Sequence, residues 1–326
     1  MMLKTKLLPR LLAAAGLTLV AGLAQAQDWR PSDTVRLIVP SSPGGGHDTN
    51  ARALSAVMEK YAGQTIVVEN QPGGGGVVAY NQMAGAKPDG LTLGQVSTAL
   101  VTDRYRLDNV KYGADSFRYV GEISADPNLL VVSAKGPYAD MPLSQFLENA
   151  KANPETVLMG VSGNWGNQDY VRYALEKETG AKFRRIPVKG GRNILLGILG
   201  GDIGAGLLYP SEVKAQIDAG ELKVLAHNGA GPVAGIDGVQ SFADQGVNVG
   251  LSVWRVLALP KDTPDDVFNG WQEILRQTME DPELRKGYEA VAVGYAYSDG
   301  TGAEAVVRKA DEELGAISRE AGIVKE

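Results

Sequence analysis

Apolar positions along this chain follow two periods that take turns. Val35 to Val39 holds four apolar residues of five, as a strand buried on both faces of a parallel sheet requires, and Pro40 has no N–H with which to extend a ladder. Gly44, Gly45 and Gly46 follow. Beyond Asp48 the apolar positions Ala51, Leu54, Val57, Met58 and Tyr61 recur at helical spacing until Gly63 ends the pattern. The order is strand, bare loop, helix, and it is repeated at once. Thr65 to Asn70 is rich in β-formers, and Gln71-Pro72 with Gly73 to Gly76 opens a helical segment from Val77 to Ala84. A turn at Pro88-Asp89-Gly90 then delivers a third strand, Leu91 to Val96, which ends in Ser97 and Thr98. Such alternation predicts a parallel α/β sheet whose strand ends, with both glycine loops, share one rim.

After Asp126-Pro127 the pattern restarts. Leu143, Phe146, Leu147 and Ala150 make a helix face, Val157 to Val161 a strand, Ser162 to Asp169 a small polar loop, and Val171, Ala174 and Leu175 begin the next helix. Phe183 to Val188, Asn193 to Leu199, Ile203 to Leu208, Ser211 to Ala219 and Leu222 to Ala226 continue as strand, helix, strand, helix and strand. Val249 to Leu259 reads as a crossing back. Two helices complete the chain: one with Thr263 as its capping hydroxyl and Pro264 at its first position, one with Thr301 and Glu304 spaced as a capping box. Both read as scaffold. The expected architecture is α/β with two lobes, residues 27–125 with 250–326 and residues 126–249, the C-terminal segment free to pack on both.

The start of the chain changes the picture of where it works. Lys4, Lys6 and Arg10 precede an apolar run from Leu11 to Leu23, and Ala24-Gln25-Ala26 supplies a small-x-small cleavage pattern. The run falls short of the roughly 18 residues of a membrane span, so residues 1–26 read as a secretory signal cleaved near Ala26. Removing it takes away three basic groups and no acidic one, which makes a chain of formal charge −6 more acidic still and a poor partner for nucleic acid or anionic lipid. With no cysteine there is neither a disulfide framework nor lipid attachment through an N-terminal cysteine, and with His47 and His227 as the two histidines a zinc site is not expected. A free, acidic, exported protein points to a bacterial periplasm.

Bare backbone amides before a helix favour an anion, although glycine in such loops also serves tight turns and close packing. The reactive alternatives are weak. Gly74, Gly76 and Ala79 meet the dinucleotide fingerprint in its loosest form, but Val96-Ser97-Thr98 stands where a ribose-binding acid belongs, and no Gly-Lys pair exists to make a phosphate-binding P-loop. Gly160-Val161-Ser162-Gly163-Asn164 has asparagine where a nucleophile elbow needs its second glycine. No catalytic residue, cofactor or metal is assigned. The site suited to these residues holds an anion without reacting with it; Ser97 and Thr98 serve either as caps or as ligand contacts.

Pro43-Gly44-Gly45-Gly46 with Asp48, Ala51 and Arg52, Val68 to Gly73 with Gly75-Gly76, and Pro88-Asp89-Gly90 with Thr92-Leu93 resemble the Bug or TctC-type periplasmic receptors of tripartite tricarboxylate transporters. The likeness continues through Tyr112, Lys189-Gly190-Gly191, Leu199-Gly200-Gly201, Val253-Trp254-Arg255, Pro260-Lys261 with Thr263-Pro264, and Ala321-Gly322-Ile323. It implies a two-lobed periplasmic binding protein (type II-like), each lobe a mostly parallel sheet flanked by helices, with a small organic acid in the cleft. The acid would be a di- or tricarboxylate or an aromatic carboxylate. The implied partners are that ligand and the membrane permease subunits, for a monomeric receptor. A sensing subunit for a membrane histidine kinase, or an enzyme on the same frame, are the alternatives. Carried onto this chain, the ligand-binding set is Ser41, Ser42, Gly45, Gly46, His47 and Asp48 with Gly74, Gly75 and Gly76 in one jaw, Ser162, Asn164 and Asn167 in the other, and Thr98, Tyr209 and Arg255 beside them. Arg255 either pairs with a second carboxylate or braces a domain interface.

Overall fold

The computed structural model describes residues 29–108 and 110–324. The export signal expected over residues 1–26 lies outside them. The first unit runs β1 (Val35–Val39), α1 (Gly46–Ala62), β2 (Ile66–Asn70), α2 (Val77–Ala84), β3 (Thr92–Ser97), α3 (Ala99–Arg106) and β4 (Phe117–Asp126). The second runs β5 (Leu129–Ser133), α4 (Leu143–Ala152), β6 (Leu158–Ser162), α5 (Asn167–Thr179), β7 (Arg184–Val188), α6 (Gly191–Gly200), β8 (Ala205–Leu208), α7 (Pro210–Asp218) and β9 (Leu222–His227). The chain then returns through β10 (Val253–Pro260), α8 (Asp265–Glu280), α9 (Pro282–Ala290), β11 (Tyr295–Asp299) and α10 (Gly300–Glu320).

The strands form two sheets, ordered β11-β4-β10-β3-β1-β2 and β7-β6-β8-β5-β9, one to each lobe. Both are mixed. β1 pairs in parallel with β2 and β3, but the returning β10 runs antiparallel between β3 and β4, and β11 is antiparallel to β4. In the second sheet β6 is parallel to β7 and β8, while β5, entering from the other lobe, is antiparallel to β8 and β9. The strands that bring the chain into each sheet from the other lobe, β10 and β5, therefore break the parallel order expected from the alternation, as does the edge strand β11.

Each sheet is covered on both faces, which is why its strands read as near-continuous apolar runs. Leu37 packs with Leu54, Leu257, Trp271 and Leu275 on one side of the first sheet, while Ile38, one residue on, packs with Tyr80, Val96, Val256 and Val307 on the other. The second sheet sandwiches Leu130, Phe146, Met159 and Val171 on one face and Leu129, Ile194, Ile198 and Val213 on the other. Trp271, fully buried, donates its Nε1–H to the carbonyl of Gly90 at 2.9 Å and so fixes α8 against the turn that starts β3. α10 lies along β4 and α3 and also reaches the second lobe, where Ser318 Oγ and Tyr170 OH are 2.6 Å apart and Glu320 pairs with Lys177.

Two helix starts differ from expectation. Thr263 Oγ1 donates to the carbonyl of Pro260 at 2.7 Å and takes part in the turn ahead of α8 rather than in its cap. α10 begins at Gly300, where Asp299 accepts from the Gly302 N–H at 2.9 Å, so the cap lies two residues before Thr301. At α10 a side chain nearer the incoming strand reaches the free amides first, whereas at α8 the Thr263 hydroxyl is drawn back to a carbonyl of the turn.

Candidate functional site

The loop between β1 and α1 is held by the helix it precedes. Asp48, 4% exposed, accepts from the Gly44 N–H at 2.8 Å and pairs with Arg52 Nε at 2.9 Å. Burial pushes its carboxyl up, but Arg52 and the Gly44 amide outweigh this and hold it below the usual range. Asp48 thus staples the loop. Ser42, Pro43 and Gly44 are exposed; Ser41 is half-buried, and its carbonyl accepts from Asn70 Nδ2 at 3.1 Å.

His47, on the first turn of α1, turns inward. Its Nδ1 accepts from Arg255 Nε at 3.2 Å and lies 2.9 Å from Gln95 Oε1, while Nε2 is 3.5 Å from Ser97 Oγ, itself 3.4 Å from Tyr80 OH. Burial, then the Arg255 charge, push the imidazole down to about 3, so it is neutral near pH 7. Arg255 is fully buried. Its Nη1 pairs with Asp126, itself fully buried, and donates to Ser124 Oγ at 3.0 Å, which joins β10 to β4 where both strands approach the other lobe. Arg255 thus ties β10 to β4 and to α1. Its Nη2 is buried with no partner among the described residues and lies 3.1 Å from where a Cβ on Gly46 would stand. Tyr209 from the second lobe reaches the same point, at 3.1 Å, with the guanidinium 5.5 Å from its ring centre, and Ser211 Oγ is 3.4 Å away. Beside them burial pushes the Glu212 carboxyl up, against the Tyr209 amide, which donates to it at 3.1 Å.

The second glycine loop is built differently. Gly73, Gly74, Gly75 and Gly76 have φ of 143, 56, 73 and 131°, a run that L side chains do not tolerate and that turns the backbone tightly into α2. Arg106, at the end of α3, lies over it: Nη2 is 2.6 Å from the position of a Gly75 Cβ. The same guanidinium pairs with Asp103 and donates from Nη1 to the carbonyl of Asn164, in the opposing lobe, at 2.7 Å. Asp103, buried, is pushed up to about 6 by desolvation, against the pull of Arg106 and of Tyr112 OH, which donates to it at 2.6 Å.

In the second lobe the loop from Ser162 to Asn167 repeats the staple of the first. Trp165, at φ 57°, donates its N–H to Asp169 Oδ2 at 3.0 Å, and Asp169 pairs with Arg172 and Arg185. Asn164 Oδ1 accepts from Arg185 Nη2 at 2.5 Å. Asn167 is committed elsewhere: its Oδ1 accepts from Asn128 Nδ2 at 2.8 Å and its Nδ2 donates to the Leu251 carbonyl at 3.2 Å, tying together the two segments that cross between lobes. Thr98 is 3% exposed; its carbonyl receives the amides of Val101 and Thr102, and its Oγ1 is buried without a partner among the described residues.

The structure therefore gathers Gly46, His47, Tyr209 and Arg255 at one place and Gly75 with Asn164 at another. Ser41 and Ser42 lie toward solvent, and Asp48 and Asn167 hold the frame. Sequence reasoning missed Arg106, Gln95, Asp126 and Ser211. No spacing signal separates Arg106 from Arg104, which instead pairs with Asp311 on α10. Among the described residues no group of three or more His, Cys, Asp or Glu is placed to hold a metal.

Known proteins resemble this chain in sequence and in fold. A protein of Agrobacterium vitis encoded in the TAR-I ttuE-ttuC' intergenic region is 29% identical over 267 residues, 81% of this chain and 77% of its own. A solved periplasmic transporter is 28% identical with a TM-score of 0.83, over 90% of this chain and 99% of its own. An R. palustris protein solved with adipate shares the fold at a TM-score of 0.84 and 22% identity, over 91% of this chain and 99% of its own. The profile of the tripartite tricarboxylate transporter family receptor matches residues 50–323. By that match the chain belongs to the receptor family of the tripartite tricarboxylate transporters, periplasmic solute-binding proteins that bind rather than catalyse.

Proposed function

We propose that the cleft takes a small organic acid, a di- or tricarboxylate or an aromatic carboxylate, and that the receptor hands it to its membrane permease subunits. The observation that carries this reading is that two glycine loops of the first lobe each open a helix and each have an arginine against them, Arg255 at Gly46 beside Tyr209 of the second lobe and Arg106 at Gly75 with its bond to Asn164 of the second lobe. Helix N-termini and guanidinium groups both favour an anion. The groups between them suit holding rather than reacting, because His47 is neutral and its ring nitrogens lie against Arg255, Gln95 and Ser97. On this reading the protein is a monomer that begins near Gln27, with one lobe formed by residues 27–125 and 250–326 and the other by 126–249. Ser162, Asn164 and Thr98 line its cleft with the glycine loops.

Protein isolated from the periplasm and mildly denatured should release an organic acid identifiable by mass spectrometry. Returned to the empty receptor, that acid should raise its melting temperature, since a ligand that binds only the folded form adds stability. If no acid copurifies and neither malate, adipate nor benzoate raises the melting temperature, the reading is wrong.

A further inference from the structure

Arg106 stands out because its side chain is 92% removed from solvent, counting its 8% exposure, without being fully used. Nη2 faces Asp103 and Nη1 the Asn164 carbonyl, but Nε is buried with no partner among the described residues. Nη2, Cζ and Nη1 all lie within 3.3 Å of the Gly75 side-chain position, and Nε is one bond from Cζ. A guanidinium that served only to neutralise Asp103 would not need to lie against a glycine loop in a neighbouring element, nor to reach into the other lobe.

Of the helices that open from the three candidate loops, α1, α2 and α5, the one under it is also the one with no acid at its positive end. α1 holds Asp48 in its first turn and α5 holds Asp169, each already accepting a loop N–H. α2 has no acid in its first turn. The Gly76 N–H already donates to the Gly73 carbonyl at 3.0 Å, so an arriving carboxylate finds its least contested backbone amides at Gly74 and Gly75, with Arg106 against Gly75.

We propose that Arg106 is the cation that reads the ligand's carboxylate at the second glycine loop, and that its bond to the Asn164 carbonyl ties the arrival of that carboxylate to the meeting of the lobes. This rests on the organic-acid reading above and adds to it a residue and a preference. A planar, forked donor selects a carboxylate over the isosteric primary amide, because two parallel N–H groups match two acceptor oxygens and meet only one in the amide.

The test follows arginine Nε–H and glycine amide signals by NMR on the whole mature protein, the Arg106 signal being identified by its loss in Arg106→Lys. Malate, adipate and benzoate are titrated in turn, with sodium chloride at matched ionic strength as control. The Arg106 Nε–H and the amides of Gly74 and Gly75 should shift together and saturate with at least one acid. Arg106→Lys, which keeps the charge and loses the fork, should weaken that acid at least tenfold, and Arg106→Met by more. The acid's primary amide should bind weakly and lose little in either variant. If removing Arg106 alone prevents folding by stranding Asp103, the pair Arg106→Met with Asp103→Asn removes both charges and carries the same measurement. Glycine amides that shift while the Arg106 Nε–H does not, with Arg106→Met binding as wild type, overturn this proposal and leave the organic-acid reading standing. Signals that move with none of these acids overturn this proposal, and overturn the organic-acid reading too if no acid copurifies and none of the three raises the melting temperature.

Discussion

The two glycine loops look alike in sequence and differ in what they tolerate. Gly45 has φ −83° and ψ 167°, ordinary extended backbone, and an added Cβ would meet the Ser42 carbonyl at 3.4 Å, a normal contact. Gly75 has φ 73°, and its Cβ would lie 2.6 Å from Arg106 Nη2. Gly75→Ala therefore incurs the left-handed penalty of about 1–2 kcal/mol. It must also push Arg106 aside; if that guanidinium leaves Asp103, whose side chain is fully buried, stranding the acid costs about 3–5 kcal/mol. Partial relaxation puts the expected loss at about 2–5 kcal/mol, or a fall in melting temperature of the order of 5–15 °C. Gly45→Ala should stay within about 0.5 kcal/mol of wild type. Denaturant and thermal unfolding of both proteins without ligand measure the contrast, and binding titrations show whether Gly75→Ala also loses its acid. Were Gly45→Ala the more damaging of the two, the backbone and packing argument would fail, and the idea that both loops depend on glycine in the same way would stand instead.

Asp126→Asn leaves Arg255 buried without its counter-charge and should destabilise by about 3–5 kcal/mol, with Asp126→Asn/Arg255→Met recovering part of the loss; a single variant as stable as wild type would show that the ion pair does not hold the boundary. The pH dependence should come from two groups that oppose each other. His47, at about 3 when folded against an ordinary 6.5, contributes stability that is complete above pH 6.5 and falls as the pH drops through that window; Asp103, at about 6 against 3.8, makes stability fall as the pH rises from 3.8 to 6. His47→Asn should therefore expose a decline of up to about 1.4 kcal/mol per pH unit between about pH 4 and 6, and Asp103→Asn a rise of similar slope, whereas parallel profiles for wild type and both variants would refute the assignment.

Strands and helices were legible where burial on both faces wrote them into the sequence. β1 is apolar because neither face meets water, and α1 ends at Gly63 because that residue takes φ 70°. β11 was not legible: it is an edge strand of half-exposed residues, Tyr295 to Asp299, with no apolar run to mark it. α9 buries Leu284 and Tyr288 alone in its length, too few positions to set a period. The antiparallel sense of β10 depends on where the chain re-enters the first sheet, which local pattern does not encode. Within the site, the glycine loops were legible because glycine itself is the signal. The residues that approach them were not, because Arg106 and Arg104 differ in partners and not in context, and because the amide of Asn167 is drawn to crossing strands distant in sequence.

Both jaws share one construction, and it bears on what must move. In each, a backbone N–H four residues ahead of an aspartate donates to it, Gly44 to Asp48 and Trp165 to Asp169, and each aspartate is neutralised by arginine. The loops are thus ordered before any ligand arrives, and binding does not bear the entropy of ordering them. The crossing segments are likewise fixed, by Asn128 to Asn228 at 2.7 Å, Asn228 to Gly250 at 2.6 Å and Asn167 to Leu251 at 3.2 Å. On the proposed reading, admitting a ligand then calls on the contacts away from those segments: Arg106 with Asn164, Tyr170 with Ser318, Lys177 with Glu320, and Gly46 against Tyr209. Bonds at the crossing can survive a rotation of one lobe on the other, because atoms near a pivot travel least, whereas these must part. Of these, the contact made by Arg106 joins a charged donor to a carbonyl and lies against the second glycine loop, so on the proposal above a carboxylate that settles there acts directly on a contact between the lobes.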